Sequence, residues 1–336
     1  MFSRRTLTVW IGILLLSGMF LTGQETWPPP QCPDGDRDGY GAPASASCAH
    51  PELDCDDSNA EVNPGIIEGP DGDPRCSDGL DNDCDGLVDN LDGGCLDMVQ
   101  IPAGCFNMGD ALNEGWPDEL PVHSVCISTF EMDVHEVTNA EYKACADAGQ
   151  CTPPLYSSSQ SRSSYYGNPV YDHFPVIYVA WSQAADYCTW AGKRLSTEAE
   201  WEYAARGGLA DKRYPWGDTM SFTDANFWAS GDPWDNDTSL VEYYDPRPTS
   251  PNGYGLYDMA GNVWEWVNDW YSSTYYQYCV DNGVSNDPPG PPSGTERIAR
   301  GGSWGSAYTE KALRVSARYS PEYLFVYPDL GFRCSR

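Results

Sequence analysis

The stretch Asn252–Trp270, NGYGLYDMAGNVWEWVNDW, constrains this chain more than any other. Gly253, Gly255 and Gly261 let the backbone turn where a residue carrying Cβ would be strained. From Val263 the residues alternate as on a strand: Trp264 and Trp266 point one way, Val263, Glu265 and Val267 the other. Glu265 is thus a carboxylate between two indoles on an apolar strand. Such a group is tolerated when it is paired with an Arg, hydrogen-bonded or bound to a cation. The segment therefore predicts a buried strand whose one charge is met in one of these three ways.

The 336 residues accommodate one large domain and one small one. A net charge of −31 makes nucleic acid and anionic membrane poor partners. Thirteen tryptophans and twenty-two tyrosines speak for a packed core, and thirteen cysteines for an oxidising compartment. Arg4 and Arg5 precede an apolar run from Leu7 to Leu21, followed by Thr22 and Gly23, so residues 1–23 read as a signal peptide cleaved near Gly23. An uncleaved signal anchor is the alternative, because the run is long enough to span a membrane. No Cys follows that would carry a lipid, and no other segment is apolar enough to cross after cleavage. The protein is expected to be exported: secreted, periplasmic or on the cell surface.

A Pro-rich linker, residues 24–31, leads into an Asp- and Cys-rich module, residues 32–97. That module holds eighteen of the fifty acidic residues and two basic ones, Arg37 and Arg75, a density that repels itself unless something neutralises it. Asp34, Asp36 and Asp38 form a D-x-D-x-D-G opening, and Asp54 and Asp56 begin a looser one. In the third cluster Asp81, Asp83, Asp85, Asp89 and Asp92 occupy loop positions one, three, five, nine and twelve, with Gly86 at six. This is EF-hand-type spacing with Asp in place of the usual final Glu, and it predicts calcium, which takes six to eight oxygens. A solvated acidic linker is the bland alternative. The module also resembles the Asp-rich metal-binding repeats of many secreted bacterial proteins. Cys32, Cys48, Cys55, Cys76, Cys84 and Cys95 allow three disulfides of unspecified connectivity, staples that a module with so little core needs.

From Met98 strands and amphipathic helices replace the acidic loops. Met98–Pro102 and Val122–Phe130 read as strands, and Thr138-x-x-Glu141 and Thr197-x-x-Glu200 as capping boxes that open helices. Another helix starts at Ser182 and stops at Gly192, and later strands fall near Val263–Val267, Arg297–Trp304 and Leu330–Cys334. The fold class is α+β. His50, His123, His135 and His173 fall in no metal-ligand spacing and are expected to be surface or packing residues.

Five segments of residues 98–336 occur in an order similar to that of the formylglycine-generating enzyme family, the sulfatase-modifying factors. They are Ala191–Tyr203 (AGKRLSTEAEWEY), Tyr214–Gly217 (YPWG), Gly261–Trp266 (GNVWEW), Arg300–Trp304 (RGGSW) and Leu330–Cys334 (LGFRC). The resemblance implies a C-type-lectin-like fold with little regular secondary structure. It also implies calcium ligands: Gly261, Val263 and Glu265 at one site, with Asn226, Phe227 and either Asp235 or Asp237 at a second. It further implies a Cys188–Cys334 disulfide. A second family bridge would need cysteines near Ala205 and Ser316, and neither is present. Proximity in sequence suggests Cys145–Cys151, and neighbouring strands suggest Cys105–Cys126, which leaves Cys279 over.

Family oxidases convert a substrate cysteine to formylglycine with oxygen and copper, through two cysteines in G-G-S-aromatic-x-C-x-x-x-x-C. Here Ser306 takes the first position, and a residue between Thr309 and Lys311 takes the second. A hydroxyl neither holds Cu(I) as a thiolate does nor forms a mixed disulfide with a substrate thiol. The pocket residues Ser303 and Trp266 remain, but copper is not expected. The chain reads as a calcium-binding scaffold that holds a protein, peptide or small molecule in a groove near Trp304–Tyr308 and Arg314–Arg318. An enzyme performing a different oxidation, or modifying a secreted peptide or metabolite, is the alternative.

Overall fold

The computed structural model describes residues 32–336 except 44–46, 51–52, 65, 67–79, 83, 85–97, 232, 235, 242, 244–250, 307–310 and 323. The expected signal peptide and linker lie outside the described residues, as do Asp83, Asp85, Asp89 and Asp92. The chain divides into two compact units, Met1–Ile66 and Ile67–Arg336, a division that falls inside the expected acidic module.

In the first unit the described residues form loops and turns. The Cys32–Cys48 disulfide and a parallel bridge between Gly41 and Leu53 tie them together. Tyr40 stacks on His50 with ring centroids 4.5 Å apart.

The second unit is α+β. A four-stranded sheet runs in the order β1 (Met98–Ile101), β4 (Phe130–Asp133), β9 (Cys334–Ser335), β5 (Arg194–Leu195). The hairpin of β2 (Gly104–Met108) and β3 (His123–Ile127) stands apart from it. The central ribbon is β6 (Trp264–Trp270), flanked by antiparallel β7 (Arg297–Arg300) and parallel β8 (Leu330–Phe332). The run Val122–Phe130, expected as one strand, is broken at Ser128-Thr129 into β3 and the start of β4.

The helices are α1 (Asn139–Asp147), α2 (Trp181–Trp190), α3 (Glu198–Ala205) and α4 (Tyr275–Asn282). Both expected capping boxes close: Thr138 accepts from Glu141 N, Thr197 accepts from Glu200 N, and each Glu accepts in return. The alternation along β6 decides the packing. Trp264 and Trp266 enter a cluster with Tyr142, Tyr187 and Phe332 from α1, α2 and β8, whereas Val267 enters one with Trp201, Tyr203 and the β2–β3 hairpin. A strand buried on both faces has no solvent side on which to leave Glu265. Disulfides join Cys105 to Cys126, Cys145 to Cys151 and Cys188 to Cys334, and Cys279 is free and buried on α4. No helix of the described residues is long and apolar enough to cross a membrane. The disulfides suit a non-cytosolic compartment.

Candidate functional site

Glu265 is fully buried and its carboxylate is fully engaged. Arg333 donates through Nε to Oε2 and through an η nitrogen to Oε1, both at 2.8 Å, and Trp201 Nε1 donates to Oε2 at 2.7 Å. A calcium ion is thus not needed to explain a carboxylate among tryptophans. The arginine beside Cys334 supplies the charge. The other η nitrogen of Arg333 reaches the carbonyls of Asp133 and Val134, and Tyr257 O accepts a further bond, so one side chain joins the end of β4 and the Tyr257 loop to β6.

The charge balance nevertheless stays acidic around this pair. Glu136 is fully buried, and its Oε1 has no hydrogen-bond partner. Burial, followed by the charges of Asp258 and Glu265, pushes its carboxyl well above the usual range, and Arg333 offsets this only in part. Asn262 connects Glu136 to the other segment expected to bind calcium: its Nδ2 lies 3.4 Å from Glu136 Oε2, and its Oδ1 accepts from Ser239 N at 2.9 Å.

In that segment Asn226 and Asp237 come together, with Asn226 Nδ2 donating to Asp237 O at 2.9 Å. Asp237 already has its cation, since Arg162 lies 3.3 Å away, and Ser159, Ser161 and Thr238 also donate to its carboxylate. The Phe227 carbonyl accepts from Ser230 N. Asn226 Oδ1 is buried without a partner.

The segment that carries paired cysteines in the oxidases forms a tight turn here. Gly301 and Gly302 have φ of 95° and 79°, and a Cβ on Gly302 would lie 2.6 Å from Leu313 Cδ2. Ser303 N donates to Ser306 Oγ at 2.9 Å, and Ser303 Oγ donates to Asp329 at 2.7 Å. Burial raises the Asp329 carboxyl, and the Ser303 hydroxyl draws it back. Five residues on from Ser306, at the C-x-x-x-x-C spacing, is Lys311, which is exposed. The turn therefore presents hydroxyls and an ammonium where two thiolates would be required. Among the described residues the free thiol is Cys279, embedded in the α4 packing.

A cleft of about 600 Å³ opens between Trp116, Asp118, Trp264, Tyr271, Arg318 and Tyr319. Trp264 and Tyr319 face each other at 5.1 Å, and Tyr271 OH donates to Asp118 Oδ2 at 2.9 Å. Arg318 is neutralised at the base of the cleft by Glu198, which accepts from Nε at 2.7 Å and from an η nitrogen at 3.0 Å. Trp266, expected in the pocket, is instead fully buried and donates from Nε1 to Val179 O. The pleat places Trp264 in the cleft and Trp266 in the core. Of the expected groove, Trp304 is buried, Tyr308 lies outside the described residues, and Arg314 acts from behind. Arg314 grips both oxygens of Glu119 at 2.7 and 2.6 Å and so fixes the Trp116–Glu119 turn that forms one wall. Trp116, Tyr271 and Tyr319 escaped sequence reasoning because they sit in loops with no periodicity. The buried pair Glu198 and Glu202, one helical turn apart on α3, was the available signal, since such carboxylates require arginines such as Arg300 and Arg318. A second hollow of about 320 Å³, near Phe106, Tyr203 and Arg206, includes none of these residues.

Asp269 accepts from Glu198 N beneath the Arg318–Glu198 pair. Burial and then the Glu198 charge raise its carboxyl from 3.8 to about 8. Folding therefore takes up a proton between those values, and stability falls as pH rises from about 4 to about 8. Denaturation at a series of pH values should show this decline, and Asp269→Asn should flatten it.

A model of the "Sulfatase-modifying factor enzyme 1-like domain" matches residues 89–336, and one described as a "Putative metal-binding motif" matches residues 54–90. The chain is 38% identical over 286 residues to a formylglycine-generating enzyme from Streptomyces coelicolor, covering 71% of this chain and 88% of that one. It is 30% identical over 288 residues to the "Inactive C-alpha-formylglycine-generating enzyme 2" of Bos taurus, covering 72% and 89%. Among solved structures, PvdO from Pseudomonas aeruginosa aligns with a TM-score of 0.59 at 30% identity, over 72% of this chain and 95% of that one.

Proposed function

The chain belongs to the sulfatase-modifying factor enzyme 1-like family through residues 89–336, and on that premise we propose that it is a binding member which does not oxidise cysteine with copper. The observation that carries this reading is the Ser303–Ser306 turn. Copper(I) is selected by paired soft thiolates, and the hydroxyl of Ser306 with the exposed ammonium of Lys311 offers no such pair. The donors present do not fit copper.

The aromatic cleft is the part of the domain suited to recognition. Its walls offer flat apolar faces, and its single guanidinium is already compensated, so an uncharged or weakly polar peptide segment or metabolite fits it without stranding a charge. Calcium is a structural ion in this reading. Glu136, with Gly261, Val263 and Glu265, would hold it and let it neutralise the excess carboxylate, and the partnerless Glu136 Oε1 supports that assignment. The apolar segment Leu7–Leu21 and the disulfides support export.

Incubation of the full chain with copper, oxygen and a Cys-x-Pro-x-Arg peptide should leave the peptide mass unchanged, and loss of thiol mass with gain of aldehyde would overturn the reading. For the cleft, Tyr319→Ala removes a partly exposed wall that faces Trp264. The immobilised native chain should retain members of a peptide library that this variant releases. Equal retention by both would remove the cleft from the account.

A further inference from the structure

Asp34, Asp36 and Asp38 each offer one carboxylate oxygen, and these atoms lie within 4.8 Å of one another. The sequence assigns them to one loop and Asp54 and Asp56 to another. The structure lays the second loop against the first. Gly41 bridges Leu53, and Asp54 N donates to Gly41 O at 3.3 Å. Gly35 N donates to Asp57 Oδ1 at 2.8 Å, and Asn63 Nδ2 donates to Asp38 Oδ2 at 2.6 Å. The approach is so close at Gly35 that a Cβ there would stand 2.3 Å from the Asp57 carbonyl oxygen.

Asp54 supplies the separate observation that a cluster of carboxylates needs. It is 2% exposed; its Oδ1 accepts from Asp56 N at 2.9 Å, and its Oδ2 is buried with no partner. Asp36 Oδ2 is also buried and partnerless. Oxygens withdrawn from water on two abutting loops are stable as carboxylates when a cation draws them together. Hard oxygen donors without thiolate or imidazole favour calcium, whose flexible shell of six to eight ligands tolerates an irregular cage completed by water or backbone carbonyls.

We infer that Asp34, Asp36, Asp38 and Asp54 form a single calcium site shared between the two loops. Asp57 and Asn63 act as positioning residues, holding Gly35 and Asp38 in place. Asp56 is not a ligand: it is exposed, and its Oδ1 accepts from the Ser58 hydroxyl at 2.6 Å. The site does not depend on the calcium assignment in the large domain, and it joins Asp54, where the metal-binding-motif match begins, to a loop that match does not reach.

The test is radiocalcium equilibrium dialysis of the metal-stripped full chain with its disulfides intact. Asp36→Asn and Asp54→Asn should each weaken the same calcium equivalent by at least about tenfold. The double variant should lose that one equivalent and no more, while Asp56→Asn binds as the native chain does. Separate loops would make the double variant lose two equivalents, and native binding by both single variants would leave no shared site; either result overturns the inference. Mass mapping of Cys32–Cys48 checks folding. If Asp54→Asn fails to form that bridge, Asp36→Asn, whose side chain is only half-buried, decides alone by losing the equivalent or keeping it.

Discussion

Arg333→Met is expected to destabilise the large unit by about 3–5 kcal/mol, because it leaves Glu265 ionised in the core with its principal counter-charge removed. The loss spreads beyond one ion pair. Glu136 and Asp258 already crowd Glu265, and the carbonyls of Asp133, Val134 and Tyr257 lose their donor in the same substitution. Arg333→Lys should recover little, since an ammonium cannot bond both carboxylate oxygens and three carbonyls at once. Glu265→Gln should be milder, because the amide oxygen can still accept from Trp201. Urea denaturation of the four proteins checks this order. A midpoint for Arg333→Met within error of the native value would show that the pair is dispensable.

The next largest effect belongs to the Cys188–Cys334 bridge, which closes a separation of 146 residues. Replacing both cysteines with Ser should cost roughly 3–5 kcal/mol, chiefly by releasing the unfolded chain from that constraint. For a unit of this size, that lowers Tm by about 10 °C. Cys145–Cys151 closes a separation of only 6 residues, and its removal should cost visibly less. Calorimetry of the two double variants under oxidising conditions makes the comparison. Equal losses would mean that loop length does not govern the effect here.

Much of the fold was legible because local chemistry and burial agree. Thr138 and Thr197 open helices by capping boxes that need only four residues to form, and β6 declares itself by alternation that both core clusters respect. What escaped were elements whose identity is set by distant partners. The run YYQYCVDN of α4 has no capping box to announce it, since Thr274 makes no side-chain cap, and it is held as a helix by Tyr275, Tyr276 and Cys279 burying against the hairpin side of the core. Trp266, expected beside Ser303 in a pocket, is core, whereas Trp264 on the same face lines the cleft. Alternation fixes which residues share a face, not which of two same-face residues lies at the open end. That Arg333 pairs with Glu265 was not legible, because no local pattern records a pairing across 68 residues.

The order of strands also bears on how this polypeptide can be made. β9 lies between β4 and β5, and β8 runs beside β6, so two strands that follow all the others in sequence take up interior positions. Vectorial synthesis therefore presents β1 to β7 before the two strands that complete their sheets. Until residues 330–335 emerge, Glu265 lacks Arg333 and Cys188 lacks its mate, so the large unit cannot close before that segment has been made.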